Sequence, residues 1–158
     1  MFDGRESGTP QGTPSPNTLL VRVGADATEA GGRCHGVVDS KTREFVYVPI
    51  PEARAVRAGL ETSYAGVADA LARFGRVLPE TLTGRSAHLD PDFEQLTYGD
   101  RALRAGQIRA NLGPGDSLVF YASLRDVHRP HALVYALIGA LVVDRIVRAV
   151  DISACTLT

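Results

Sequence analysis

The chain has no tryptophan, one methionine, two cysteines and, among 17 basic residues, a single lysine, Lys41. Cys34 and Cys155 are too far apart for a CxxC metal or redox motif, and two thiols do not make a disulfide framework. The N-terminus lacks a basic stretch followed by an apolar one, so no signal peptide is read and a cytoplasmic location is expected. The longest apolar run, Ala132 to Val143, is too short to span a bilayer and is interrupted by Gly139. Nor is there an excess of either charge. Seventeen basic against 18 acidic residues give a net charge of -1, which offers no global attraction to nucleic acid or an anionic membrane. Motifs of the forms GxxxxGK[ST], GxSxG and HExxH are missing, so no cofactor is implied.

What remains is a chain of 158 residues with 44% hydrophobic content, enough for one globular domain with a real core. Residues 1–17 are rich in Gly, Pro, Ser and Thr, the composition of a disordered tail. A single domain is expected over residues 18–158. Leu19 to Val23 and Glu44 to Ile50 read as strands, the latter ending at Pro49 or lying on a sheet edge. Tyr64, Val67, Leu71 and Phe74 recur at helical spacing over Tyr64 to Arg76, with Asp69 and Arg73 as an i,i+4 pair. Asp100 is placed to cap a second helix with Leu103, Ile108 and Leu112 facing the core. A Gly113-Pro114-Gly115-Asp116 turn then opens a strand over Ser117 to Ala122. A loop from Arg125 to His131 and a strand from Leu133 to Val143 follow. Strands outnumber helices without β-α-β alternation. The expected fold class is α+β: a compact, mainly antiparallel, curled sheet or small barrel with two or three helices.

Two segments concentrate polar and aromatic residues, His88 to Asp100 (HLDPDFEQLTYGD) and Leu112 to Leu124 (LGPGDSLVFYASL). In the first, His88, Asp90 and Asp92 alternate along an extended stretch and so share a face, which suits a metal or an acid-base pair. Asp-Pro-Asp is also a good turn former, and the turn reading is preferred, so no metal is assigned. Tyr98-Gly99-Asp100 reads as a turn into a helix cap. Its functional alternative places the Tyr98 ring and Asp100 carboxylate in a pocket, where Asp can accept from base amino groups. Tyr121 is expected to face the core with its hydroxyl at the rim, where a ring could stack a base. Arg125, His128, Arg129 and His131 form a local cationic cluster suited to phosphate, with a plain solvated loop as the alternative.

RVGADA from Arg22, EFVYVPIPE from Glu44, ETSY from Glu61, HLDPDFEQLTYGD, LGPGDSLVFYASL and YALIGALVV from Tyr135 occur in this order. Together they resemble the nucleotide modification associated domain family, type 3, from Leu19 to Val143. The resemblance implies a prokaryotic protein working beside DNA base-modification enzymes. The family continues beyond the last strand, so the same resemblance carries the expectation of a C-terminus that is truncated. The turn-then-strand pattern also resembles PUA-like and ASCH-like barrels, at the level of fold alone.

Three functions follow. The first is an accessory module that recognises a modified base in DNA or a modified nucleotide. Its ligand-binding residues would be Arg22, Asp26, Tyr64, His88, Asp92, Tyr98, Asp100 and Tyr121, with Arg125 and Arg129 taking phosphate. The second is an enzyme processing such a base or nucleotide through His88, Asp90, Asp92 and Asp100. The third is a structural subunit of a modification or defence complex, betrayed by a large exposed apolar patch.

Overall fold

A computed structural model describes residues 15–25, 34–56, 61–148 and 151. Five strands form one sheet: β1 (Thr18–Arg22), β2 (Gly36–Val38), β3 (Phe45–Val46), β4 (Ser117–Asp126) and β5 (Leu133–Val142). Two helices, α1 (Ala65–Ala72) and α2 (Ala102–Asn111), and a short 3-10 turn at Glu80–Leu82 complete the elements. The α+β expectation holds. The sheet is mixed and open, however. β1 and β2 run parallel to β4, while β2–β3 and β4–β5 are antiparallel.

β4 is the spine. β1 lies beside its first half (Thr18↔Ser117 to Arg22↔Tyr121) and β2 beside its second (Gly36↔Leu124 to Val38↔Asp126). β5 pairs with β4 from Val142 opposite Ser117 to Leu133 opposite Arg125, with a bulge opposite Phe120 and Tyr121. The Asp116 carboxylate fixes the start of this arrangement by accepting from Asn17 N at 2.6 Å and Gly113 N at 2.8 Å. Ser117 N then donates to Asn17 O at 2.9 Å, which sets the β1–β4 register. β2 has to be glycine at position 36. A Cβ there would collide with the Val46 carbonyl oxygen and the Leu124 side chain.

Alternation along β4 decides what each face meets. Leu118, Phe120, Ala122 and Leu124 are buried on the inner face, the first two beneath α2 and the 88–100 segment and the last two against Val38 and Tyr47. Val37, Val46, Val48, Tyr64, Leu71 and Leu82 form a second cluster that α1 covers. On the outer face of β1, β4 and β5, Leu20, Tyr135 and Leu137 are 58%, 65% and 67% exposed. Several local expectations fail. Asp100 does not cap α2, whose N-cap is Arg101 with no side-chain hydrogen bond to the helix. Leu103 is 80% exposed, because α2 turns only Ile108, with Leu112 just beyond it, toward the core. The strand expected from Glu44 to Ile50 is reduced to Phe45–Val46, after which the chain leaves the sheet toward Pro51 and Glu52.

Candidate functional site

His88 stands between two carboxylates from different parts of the chain. Its Nδ1 lies 2.6 Å from Glu52 Oε1 and its Nε2 lies 3.0 Å from Asp90 Oδ2. Backbone pairing brings them together: His88 N donates to Ile50 O at 2.8 Å and Glu52 N to Ser86 O at 2.9 Å. The Asp90 carboxylate also accepts from Gly99 N at 3.0 Å. Burial pushes the Asp90 pKa up, against the lowering pull of the Gly99 N–H and His88. Tyr47 is raised as well, first by burial and then by the Asp90 and Asp92 carboxylates.

Beside this triplet, Tyr98 lies against the buried Phe120 with ring centroids 5.1 Å apart. Its hydroxyl donates to Asp100 Oδ2 at 2.5 Å and accepts from Arg104 Nη1 at 3.4 Å. Arg104 also pairs with Asp100 at 3.1 Å and reaches Arg22 O at 3.5 Å. Burial, then the Asp100 bond, pushes the Tyr98 phenol up to about 12, so it stays a neutral donor. Asp92 has a local duty, because its Oδ1 accepts from Glu94 N and Gln95 N, both at 2.9 Å. Among the described residues, no group of three His, Cys, Asp or Glu is arranged to hold a metal ion.

The outer face carries a different set. Arg22 and Tyr121 are register partners on that face, and the Tyr121 ring lies 6.2 Å from that of Tyr135. Further along β4, Arg125 lines a cavity of about 290 Å3 with Cys34, His35, Val37, Val48, Leu71 and Arg76. Burial pushes the Cys34 thiol up to about 11, leaving it protonated and unreactive near neutral pH.

The chain matches the family model for nucleotide modification associated domain 3 over residues 17–156. It belongs to that family. No curated protein and no solved structure matches it. The name ties this domain to nucleotide modification. No helix among the described residues is long and apolar enough to cross a membrane.

Within this nucleotide modification associated domain, the residues singled out in the sequence separate into groups. His88, Asp90, Tyr98 and Asp100 come together, and the backbone of Arg22 touches the group through Arg104. Tyr121 lies on the opposite face of β4 from Phe120 and hence from Tyr98, so the half-buried ring does not share their cleft. Tyr64 is buried in the α1 cluster, its hydroxyl donating to Pro49 O at 2.8 Å. Asp26 lies outside the described residues.

The cationic loop is largely neutralised. Arg129 Nε pairs with the fully buried Asp126 at 2.9 Å, and His128 Nε2 lies 2.9 Å from Asp39 Oδ1. Arg125 instead donates to Pro130 O at 3.1 Å and lines the cavity. The sequence reading missed Glu52, Tyr47 and Arg104. Glu52 is 36 residues from His88, and only its place in the EFVYVPIPE segment marks it.

Proposed function

We propose that this domain recognises a modified base or nucleotide as an accessory module of a DNA-modification system, using the Glu52–His88–Asp90 triplet and Tyr98. The observation that carries the reading is the Asp90 carboxyl, placed between His88 Nε2 and Gly99 N, each 3.0 Å away. A carboxylate so placed can accept from the amino groups on a base edge. Tyr47 and Tyr98 add aromatic surface next to it, and Asp100 with Arg104 adds a second polar reader. The membership in a nucleotide modification associated family supports the choice of ligand. The test is affinity for paired oligonucleotides that differ only in one modified base. A preference for the modified strand that disappears in Asp90→Ala supports the reading, and equal affinity for both strands overturns it.

An enzymatic role draws support from one specific feature, an imidazole hydrogen-bonded to a carboxylate at each nitrogen. Such a chain can hold one tautomer and pass a proton from the other side. Turnover of a modified nucleotide, lost in His88→Ala, would establish that role instead.

A further inference from the structure

We infer that the outer face of the sheet is a stacking platform for single-stranded nucleic acid, with a phosphate taken at the Arg125–Arg76 cavity. Three observations lead there. The first is aromatic. Tyr135 is an exposed tyrosine near the start of β5, beside the half-buried ring of Tyr121. Nothing in the core requires a tyrosine at 135, and a pair of rings on an open sheet face is a surface on which bases of any sequence stack.

The second is electrostatic. The side chains that β1, β4 and β5 direct outward include Leu20, Arg22, Val119, Tyr121, Arg125 and Tyr135, and no carboxylate is among them. The whole chain has 18 acidic residues against 17 basic ones, so strands that direct Arg125 outward and no carboxylate beside it are a local asymmetry among the described residues. The third is the cavity of about 290 Å3 at the end of this face. Arg125, Arg76 and His35 contribute to its lining, Val37, Val48 and Leu71 supply its apolar part, and among the described residues no carboxylate lines it. Arg76 makes no side-chain hydrogen bond or ion pair among the described residues. Two guanidiniums at a concave site suit a phosphate group.

The spacing selects the ligand. Tyr121 and Arg125 are four residues apart on β4, roughly 14 Å at the usual strand rise. Tyr135, opposite Ser123, is only two residues from Arg125, so a single nucleotide could reach from that ring to the cavity, whereas covering Tyr121 as well takes a short strand. A duplex is disfavoured because its bases are not available to the tyrosine faces. The apolar Leu20 and Leu137 beside the rings provide further contact surface for bases. This platform is independent of the Asp90 site. It gives affinity for a strand, whereas the Asp90 site gives preference for a modified base.

The experiment is a titration of the full chain with a short oligothymidylate and with the matching duplex, at low and moderate salt. The chain has no tryptophan, so quenching of tyrosine fluorescence reads stacking directly. We expect the single strand to bind more tightly than the duplex. Tyr135→Ala should weaken it roughly 5- to 150-fold, with the melting temperature unchanged because the ring is exposed. Arg76→Ala should reduce the salt slope by about one. Leu103→Ala, at an exposed α2 position away from this face, should leave affinity for the strand intact. The inference is overturned by equal binding of Tyr135→Ala and the parent, by no binding of the single strand, or by a preference for duplex. It is also overturned if sedimentation shows a dimer that Tyr135→Ala dissociates, which would make this face a protein interface. A modified strand bound no better than an unmodified one, with the Tyr135 effect intact, would refute the Asp90 reading alone.

Discussion

The ring of Phe93 lies across Gly139: a methyl group on Gly139 would stand 2.5 Å from two of the ring's carbons. Phe93 is also an edge-on neighbour of Phe120, with centroids 5.7 Å apart at 82°. The missing side chain on β5 is therefore what allows the 88–100 segment to seat on the sheet, three residues after Asp90.

Gly139→Ala should destabilise the protein by about 1–3 kcal/mol, the usual cost of overpacking a filled site. Denaturant unfolding measures it. The cost should shrink markedly when Phe93→Ala is already present, because the clash then has no partner. Additive costs would show that the strain arises elsewhere.

Asp126 gives the fold an acid limit. Its burial acts to raise its pKa, but Arg129, the His128 N–H and the Ser40 hydroxyl outweigh that and hold it below the ordinary value of 3.8. A lowered carboxylate favours the folded state at every pH above its unfolded value. That contribution fades as the pH falls through the folded value. Asp39 and Asp116, lowered by the backbone N–H groups they accept, act in the same direction. Melting temperature should fall steeply below about pH 4, and Asp126→Asn should start lower and show a flatter acid limb. An unchanged slope would remove Asp126 from the explanation.

Asp90 should behave in the opposite sense. With its folded pKa raised, it binds its proton more tightly in the folded state, so its contribution to stability declines as the pH rises from 3.8 through the folded value. Carbon-13 titration of the side-chain carboxyls should place Asp90 above 3.8 and Asp126, Asp39 and Asp116 below it. An Asp90 midpoint at or below that value would show that burial does not dominate there.

Tyr98 separates ring from hydroxyl. Tyr98→Ala should weaken binding of a modified base by about 1–3 kcal/mol if the ring stacks on it. Tyr98→Phe keeps the ring on Phe120 and removes only the bonds to Asp100 and Arg104. Its affinity should lie close to that of the parent, measured by calorimetry with matched oligonucleotides. Equal losses in the two variants would assign the effect to Asp100 and Arg104 instead of the ring.

The elements legible in the sequence were those with a local period. Alternation marks β1, β4 and β5, and the Tyr64–Val67–Leu71–Phe74 spacing marks α1. The neighbours of β4 were not legible. β1 pairs with it across nearly a hundred residues, and no local pattern distinguishes a parallel from an antiparallel partner in so short a strand. The site divides the same way. His88 and Asp90 are visible as neighbours, whereas Glu52 joins them only through the Glu52–Ser86 and His88–Ile50 backbone bonds. Tyr98 and Tyr121 look equivalent in sequence and part company because Phe120 and Tyr121 point to opposite faces of one strand.

β5 ends the sheet with ten residues, while the other side ends in the shorter β1 and β3, of five and two. Leu133–Val142 contains no charge and no proline, and among the described residues nothing pairs with its outer edge. Such an edge is an open growth point for the architecture. Any segment that follows it as a strand, whether from a fused domain or from an inserted hairpin, can extend the sheet without altering one side chain of the existing core. Enlargement of this fold is therefore cheap along this edge.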